Sequence, residues 1–417
     1  MSEWREARVD ELCVRVTSGG TPSRKRPDFY ADGGIPWVKS QELVEARITA
    51  TEEHISEAGV KGSSAKLLPP DTVLMAMYGA NVGQLGWLGI EATVNQAICA
   101  MVANPEVADS RFLYYALAAA RPTLIAKAHG AAQQNLSQQL IKPFALTVPD
   151  LGIQQQIGDV LRSIDDLIEN NRRRVAVLEE MARAIYREWF VKFRYPGHED
   201  VPLVDSTLGP IPEGWEVRPL AAIAKVNQSS RKPRPDEVFR YLDIAALAER
   251  EVGELDTVEG VDAPGRARRV LKPGDTVWAT VRPNRRAHAL VVAPGEDWIA
   301  STGLAVLSPT IVSSAFLFEA TSTTTFSDWL IGRATGSAYP AVRAVDFEEG
   351  TVAVPNASID AAFAEQVAPM HELSWKLRAE CSALAGLRDL LLPKLVTGQI
   401  DVSSLDLDAL VEERVAS

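Results

Sequence analysis

The stretch LLPPDTVLMA at residues 67–76 returns as LKPGDTVWAT at residues 271–280, which is 204 positions later in the chain. Further matches follow in the same order at nearly the same offset. They pair SRKRPD at 23–28 with SRKPRPD at 230–236, GAAQQNLSQQLIKPFALTVP at 130–149 with GSAYPAVRAVDFEEGTVAVP at 336–355, and Trp4 with Trp215. Weak matches in the same order at a nearly constant offset predict a tandem duplication.

Each repeat begins with a globular part. These parts are rich in glycine, proline and short β-branched runs such as DTVLMAM and LIKPFALTVP, which predict strands and turns. The segments 112–128 and 316–331 are predicted as one helix each, and the glycine-rich YGANVGQLGWLG at 78–89 as a turn between strands. The sequence therefore predicts two α+β globules.

Each globule is followed by a heptad pattern, which predicts a long helix. The heptad positions proposed to form the helix pair and to meet partner subunits are Ile157, Ile164, Asn171, Leu178, Ile185, Met370, Leu377, Leu384 and Leu391. Asn171 fits a polar residue that sets register, or one that a partner protein covers. Pro369 predicts a kink or a late helix start, and Pro393 predicts the helix end.

The predicted organisation has five segments. They are a first globule at 1–152, a central spacer helix at 153–195, a second globule at 196–356, a distal spacer helix at 357–400 and an acidic C-terminal tail at 401–417. Two equivalent helices of matching length are expected to pair as an antiparallel coiled coil with pseudo-twofold symmetry. The fold class is therefore α+β with long spacer helices.

Composition, charge and the motifs present limit the classes of function that this chain can have. The net charge is −12, yet basic residues are clustered, and local clusters rather than net charge make a phosphate-binding surface. Without an apolar leader or a membrane-length run, the chain is expected to be cytoplasmic and away from membranes. The three cysteines lack the spacing of a disulfide framework or a zinc site. No nucleotide-cradle, metalloprotease or nucleophile-elbow motif occurs, so we expect no catalysis by this chain alone.

Two loops offer side chains suited to reading bases. TVRPNRRAHAL contains Arg282, Asn284, Arg285 and Arg286, and GAAQQNL contains Gln133, Gln134 and Asn135. Arginine pairs bidentately with guanine and asparagine or glutamine with adenine in the major groove. The amides could instead cap the following helix or turn.

Several strings resemble the DNA-specificity subunit of type I restriction-modification systems, and the likeness extends over essentially the whole chain. These strings are GDTVWATVRPNRRAHALV, STGLAVLSP, TGSAYPAVRAVDF, ARAIYREWFVKFRYPG and LLPKLVTGQI. The resemblance implies two target-recognition domains that each read one half of a split site in double-stranded DNA. It also implies antiparallel spacer helices that dock two methyltransferase subunits, with two ATP-driven restriction subunits joining them.

The same resemblance implies that this chain binds no cofactor, because S-adenosylmethionine, ATP and Mg²⁺ are used by the partner subunits. It suggests phosphate contacts from the repeated basic string, namely Arg24, Lys25, Arg26, Arg231, Lys232 and Arg234. The further base-edge candidates, by correspondence between the repeats, are Tyr78, Asn81 and Gln84 in the first globule and Ser337 to Tyr339 in the second. A coiled-coil adaptor without DNA binding, and a self-contained methylating or cleaving enzyme, are the alternatives.

Overall fold

The computed structural model describes residues 4–130 and 135–402, which form two compact units. The first unit comprises the described residues up to Glu169 together with those from Ala383 onward, and the second comprises Asn170–Ser382. Both boundaries fall inside the long helices, so each unit holds part of each helix. The five-segment division stays a prediction, and residues 403–417 of its tail lie outside the described residues.

The described residues of the first unit form ten strands and a few helices. The strands are β1 Arg5–Arg8, β2 Cys13–Ser18, β3 Tyr30–Val38, β4 Arg47–Ile48, β5 Glu53–Ile55, β6 Val73–Ala76, β7 Leu85–Leu88, β8 Thr93–Val94, β9 Ile98–Ala103 and β10 Ala145–Val148. The helices are α1 Val9–Leu12, α2 Glu57–Lys61, α3 Ser110–Gly130, α4 Gln138–Ile141 and α5 Leu151–Tyr186, which continues as a π-helical turn at Arg187–Val191.

The second unit contains the remaining elements. Its strands are β11 Leu203–Val204, β12 Ile211–Pro212, β13 Glu216–Pro219, β14 Ala224–Val226, β15 Val238–Leu242, β16 Leu247–Ala248, β17 Glu251–Val252, β18 Asp256–Glu259, β19 Ala267–Val270, β20 Asp275–Ala279, β21 His288–Val291, β22 Trp298–Ser301, β23 Leu304–Pro309 and β24 Thr351–Val354. Its helices are α6 Leu220–Ile223, α7 Ser314–Thr321, α8 Thr324–Arg333, α9 Ala344–Glu348 and α10 Ala357–Val396.

The two units repeat one sheet topology. The order β2-β9-β6-β7 in the first unit matches β14-β23-β20-β21 in the second, and the pair β1-β10 matches β13-β24. A further sheet in each unit contains a strand with one parallel and one antiparallel neighbour: β3 pairs with β8 and β5 in the first, and β15 pairs with β22 and β18 in the second. In the second unit β19 adds another antiparallel pairing, with β22. The duplication predicted from sequence offsets is therefore confirmed in the connectivity.

The string that opens the sequence pattern forms the central strand of each main sheet. Val73–Ala76 and Asp275–Ala279 are buried throughout, and each pairs with a neighbour on both sides. A continuous buried apolar run is what a central strand requires, because both of its faces are covered. The turn predicted at 78–89 is found at 78–84 between β6 and β7, whereas its second part, Leu85–Leu88, forms strand β7 itself.

The globule helices differ between the repeats. The predicted helix at 112–128 is found as α3, whereas the segment predicted as one helix at 316–331 forms the two helices α7 and α8. The break occurs because Thr323 adopts an extended conformation and its hydroxyl accepts a hydrogen bond from the Phe326 amide at 3.2 Å. This capping interaction starts a new helix within the apolar run.

The long helices pair in antiparallel fashion. In the second unit Arg378 contacts Glu179 at 2.9 Å, while further along α5 the ring of Trp189 lies 5.9 Å from that of Phe363. Residue numbers thus rise along α5 as they fall along α10. In the first unit Arg388 of α10 donates to Asp165 of α5 at 2.9 Å.

The predicted heptad residues lie mostly inside this packing. Ile157, Ile164, Asn171, Leu377, Leu384 and Leu391 are buried, and Leu178, Ile185 and Met370 are half-buried. The amide nitrogen of Asn171 has no hydrogen-bond partner in the described part of the chain, while its oxygen accepts from Arg174 at 3.3 Å. Such a residue lowers stability but restricts register. The register-setting role of Asn171 stays a prediction.

The two proline predictions for α10 require correction. The helix is continuous from Ala357 to Val396, so Pro369 neither delays its start nor divides it, and Pro393 does not end it. A proline removes one backbone hydrogen bond, but Val367, Leu391 and Leu395 on either side are buried. Tertiary packing therefore maintains the helix through both prolines.

Equivalent hydrogen bonds tie each globule helix to a long helix. Gln154 of α5 accepts from the Asp109 amide at 3.1 Å, and Asp360 of α10, 206 positions later, accepts from the Ser313 amide at 2.7 Å. Each contact satisfies a donor at the start of α3 or α7.

None of the helices within residues 4–130 and 135–402 has the length and apolar composition needed to cross a membrane.

Candidate nucleic-acid interface

In the second unit, two of the candidate loops are joined to each other. The hairpin loop (residues 280–287, between β20 and β21) forms an antiparallel bridge to residues 335–341, called here the closing segment, through Val281 and Ala341. The Arg282 amide donates to the Pro340 carbonyl at 2.7 Å, and the Arg282 guanidinium lies 4.7 Å from the centre of the exposed Tyr339 ring. The structure thus brings the predicted Arg282 and Tyr339 together, with exposed Ser337 on the same segment.

The basic string of the second unit (residues 230–236) reaches the same edge through β19. Arg231 donates its amide to the Arg268 carbonyl at 2.9 Å, which attaches the string to that strand. Thr302 donates to Arg266 at the start of β19 at 2.8 Å, and Thr280 of the hairpin loop donates to the adjacent Gly303 at 2.9 Å. A chain of backbone hydrogen bonds therefore connects all three segments.

The arginines of the hairpin loop have different environments. Arg286 is anchored, since its guanidinium donates to Glu249 at 2.9 Å and to the Ser322 carbonyl at 2.7 Å. Arg285 and Asn284 are exposed, and neither side chain has a hydrogen-bond or ion-pair partner among the described residues. Arg285 is therefore better placed than Arg286 to contact a ligand.

Backbone conformation supports a functional role for this loop. Arg282 and Arg286 have φ values of 55° and 54°, in the left-handed region that disfavours residues with a Cβ atom. The equivalent loop of the first unit meets the same need with glycine, since Gly79 and Gly83 have φ values of 90° and 80°. Strained non-glycine residues of this kind concentrate at functional sites.

Beneath the loop, His288 is fully buried and stacks on Trp278 with ring centres 4.2 Å apart. Burial lowers the pKa of His288 to about 3, so the ring is neutral near pH 7. Its Nδ1 donates to the Arg286 carbonyl at 2.6 Å, and its Nε2 lies 2.9 Å from the Ser322 hydroxyl oxygen. The histidine therefore supports the loop from below.

The basic strings carry internal counter-ions that sequence reasoning missed. Arg24 donates to both carboxylate oxygens of Glu53 at 2.6 and 3.1 Å, and Arg231 donates to Glu237 at 2.6 Å. The Arg24 hydrogen bond lowers the pKa of Glu53 to about 2, and the Arg231 hydrogen bond lowers that of Glu237, so both carboxylates are ionised near neutral pH. Four further string residues are exposed. Arg26 pairs with Asp28 and Arg234 lies near Glu237, whereas Lys25 and Lys232 have no ion-pair partner within the described ranges.

Glu237 and Glu53 therefore compete with any phosphate that approaches Arg231 or Arg24. Replacing Glu237 with glutamine is expected to raise affinity for a random DNA duplex about two- to fivefold, because an ion pair close to the protein surface contributes roughly 0.2–1 kcal/mol. Fluorescence anisotropy of the purified chain with labelled duplex measures this change.

Glu259→Gln is the matched control for that measurement. Glu259 is exposed on β18 opposite Val238, and its carboxylate has no partner among the residues the structure covers. It should leave affinity nearly unchanged. An equal gain for both variants would mean that only net charge matters, and weaker binding by Glu237→Gln would mean that the carboxylate chiefly maintains the loop.

The first unit has its own hairpin loop and basic string, with different side chains. Asn81 in its hairpin loop donates to the Ser40 carbonyl at 3.2 Å, and Tyr78 and Gln84 are half-buried nearby in the chain. Thr21, just before the basic string, hydrogen-bonds Gln96 in the turn that corresponds to Thr302. Gln133 and Gln134 lie outside the described residues, and Asn135 is exposed.

Both units therefore offer an edge rich in arginine, lysine, amide and tyrosine side chains. In residues 4–130 and 135–402, no group of three His, Cys, Asp or Glu side chains is arranged to hold a metal ion. What these edges provide chemically is hydrogen-bond donors and positive charge on loops held by a rigid sheet. Such groups suit contacts to phosphates and base edges.

Comparison with known proteins finds similarity to DNA specificity subunits. A family model described as the type I restriction modification DNA specificity domain matches residues 1–180. The chain is 24% identical over 414 residues to the type I restriction enzyme MjaIX specificity subunit of Methanocaldococcus jannaschii, covering 97% of this chain and 95% of that protein. It is also 24% identical over 186 residues to the EcoR124I/EcoR124II specificity subunit of Escherichia coli, covering 43% of this chain and 46% of that protein.

The fold of this chain resembles that of a solved structure. The crystal structure of the type I restriction-modification system S subunit from M. genitalium matches with a TM-score of 0.63 at 15% sequence identity, over 94% of this chain and 96% of that chain. At this identity the likeness concerns the fold alone.

Proposed function

Because the chain is similar to DNA specificity subunits of type I restriction-modification systems, we propose that it belongs to this family and reads a bipartite site in double-stranded DNA. Each unit would read one half of that site through its hairpin loop, closing segment and basic string. The observation that carries this proposal is the repetition of one sheet topology in both units, with a hairpin loop and a basic string at equivalent places. Two equivalent reading surfaces in one chain fit a site with two halves.

The contacts divide into two classes under this proposal. Exposed Lys25 and Lys232 contact phosphates, together with the string arginines once these exchange their carboxylates for phosphate. Arg285 and Asn284 read base edges in the second unit, and Tyr78, Asn81, Gln84 and the amides at 133–135 do so in the first. Phosphate contacts set affinity and its salt dependence, whereas base contacts set sequence preference.

The helix pair would dock the partner subunits. Part of its surface is apolar but exposed, notably Val177 at 59% and Met181 at 47% exposure, on the same helix as the buried heptad residues. Exposed apolar residues aligned on a helix suit contact with another protein. We propose two methyltransferase subunits and two restriction subunits as partners, which use S-adenosylmethionine, ATP and Mg²⁺. This chain would contribute no catalytic group, and the complex would act on DNA in the cytoplasm.

The deciding experiment maps methylated adenines by long-read sequencing in the source genome, with and without this gene. Loss of methylation at a split motif with a constant gap would support the proposal and supply both half-sites. The adaptor alternative would instead leave every methylated motif in place. A DNA titration of the purified chain separates the two further, because affinity for DNA falls steeply with salt when several phosphates are contacted.

A further inference from the structure

We propose that β19 of the second unit forms a phosphate-binding platform that the first unit lacks, an inference that rests on the proposed DNA-binding function. The platform consists of Arg266, Arg268 and Arg269 on or next to β19, with Arg231 and Lys232 of the basic string beside them. Its ligand is the phosphate backbone next to the half-site that the second unit reads.

The sheet geometry gathers these cations. β19 lies at the end of the strand order β18-β15-β22-β19, and the basic string pairs with its free edge. Ser230 forms an antiparallel bridge with Arg269, and the Arg231 amide donates to the Arg268 carbonyl at 2.9 Å. The string therefore continues the sheet, and residues from two separate parts of the sequence form one basic edge.

Charge along this edge is poorly balanced. No carboxylate in the described part of the chain is within ion-pairing distance of Arg266, Arg268 or Arg269, and Arg268 donates only to the Ala267 carbonyl at 3.4 Å. Glu237 is a counter-ion for the string, where it pairs with Arg231 and lies near Arg234. The positive charges of β19 thus have no internal partner to displace before a phosphate can bind.

Among the β19 arginines, Arg269 has the environment that most favours phosphate binding. Its Nε atom is buried without a hydrogen-bond partner, and burial lowers the pKa of its guanidinium. A partly desolvated, unpaired guanidinium is unfavourable in the free protein. A phosphate oxygen would supply both the missing acceptor and the missing counter-charge, in the bidentate geometry that arginine favours.

The first unit differs at the equivalent place. Alignment of LLPPDTVLMA with LKPGDTVWAT puts Ser64 and Ala65 where the second unit has Arg268 and Arg269. A Cβ atom added to Gly20 would lie 2.7 Å from the Ser64 carbonyl carbon, so the backbone before the first basic string packs closely against this uncharged segment. The adjacent Lys66 donates to the Thr17 hydroxyl at 2.6 Å. We therefore infer that phosphate contacts are stronger at the second half-site than at the first.

The double variant Arg268→Gln with Arg269→Gln tests this inference in the full chain assembled with its methyltransferase partner. Affinity for the target duplex is expected to fall roughly tenfold at moderate salt, and the slope of log K against log salt to decrease by about 1.8, because two phosphate contacts are lost. The loss should be the same factor on random DNA. Sequence preference should not change.

A second readout locates the contacts. Neutral methylphosphonates placed beside the second half-site should weaken binding of the unmodified protein but not weaken the double variant further. Those beside the first half-site should affect both proteins equally. Equal sensitivity of the double variant and the unmodified protein at the second half-site would overturn the platform.

Two controls separate charge from folding. Arg218→Gln with Arg240→Gln removes two arginines of the same unit that pair with Glu216 and Asp297, and should leave affinity and slope nearly unchanged. Arg268→Lys with Arg269→Lys retains the charge and should retain most of the slope. Normal DNA binding by the glutamine double variant would refute the platform alone, whereas no DNA binding by the unmodified complex would refute the proposed function itself.

Discussion

Replacing Glu319 with alanine is expected to lower the free energy of unfolding of the second unit by about 3–5 kcal/mol, because it leaves a buried arginine without its main counter-charge. Glu319 is 2% exposed and Arg250 is 5% exposed. The Arg250 guanidinium donates to both carboxylate oxygens, at 2.5 and 3.1 Å, and lies 4.4 Å from the centre of the Phe318 ring. Urea denaturation followed by circular dichroism measures the change.

Glu319 matters because it links several elements of the second unit. His371 of α10 donates to it at 2.8 Å, and Arg250 also lies 3.8 Å from Glu179 of α5. The network thus joins a strand connection, the helix α7 and both long helices of that unit. The first unit has a simpler link at the equivalent positions, where Tyr115 donates to Asp165 at 2.5 Å.

The matched control is Glu349→Ala. Glu349 pairs with Arg333 at 2.7 Å, but both side chains are about half exposed, so the loss should stay below about 1 kcal/mol. If Glu319→Ala also lowered the free energy of unfolding by less than about 1 kcal/mol, Arg250 and Glu319 would not form a buried ion pair in which each charge needs the other.

Stability should also depend on pH through Glu319. Burial favours the protonated form, but the hydrogen bond from His371 and the charge of Arg250 outweigh it and lower the pKa of Glu319 below its ordinary 4.5. A depressed pKa in the folded state stabilises the protein above pH 4.5, and this contribution is lost as the pH falls through the folded-state value. Glu319→Gln should show a smaller loss of stability on acidification over that range.

Replacing Arg285 with alanine is expected to reduce discrimination at one base pair of the second half-site by about 1–3 kcal/mol, the usual value of a bidentate arginine–guanine contact. The exposed Arg285 side chain has no partner in the described structure, so removal disturbs no internal contact. Competition binding with every single-base variant of the target measures discrimination at each position.

The neighbouring Arg286 provides a contrast within the same loop. Because Arg286 donates to Glu249 and to the Ser322 carbonyl, Arg286→Ala should weaken binding to all sequences and lower stability. Arg218→Ala, far along the sequence at β13, should change neither property. An equal loss on all sequences for Arg285→Ala would mark it as a phosphate contact rather than a base contact.

The sequence predicted the fold correctly where the relevant pattern is local or is repeated along the chain. The offset of 204 between LLPPDTVLMA and LKPGDTVWAT predicted two globules of one topology, because the same buried strand requires the same apolar run. Heptad spacing predicted the long helices for a similar reason, since one face must be apolar along its whole length. The sequence pattern was misleading at residues 316–331, where the Thr323 hydroxyl caps a second helix within the apolar run.

Sequence alone thus determined the duplication, the α+β class, the long helices and the loops that form the candidate interface. Only the tertiary structure decided which cations in those loops are free, because the partners are distant in sequence: Glu53 lies 29 residues from Arg24, and Glu249 lies 37 residues from Arg286. It likewise brought β19 beside the second basic string through backbone pairing. Charge balance depends on distances in space, and a linear pattern of residue types does not contain them.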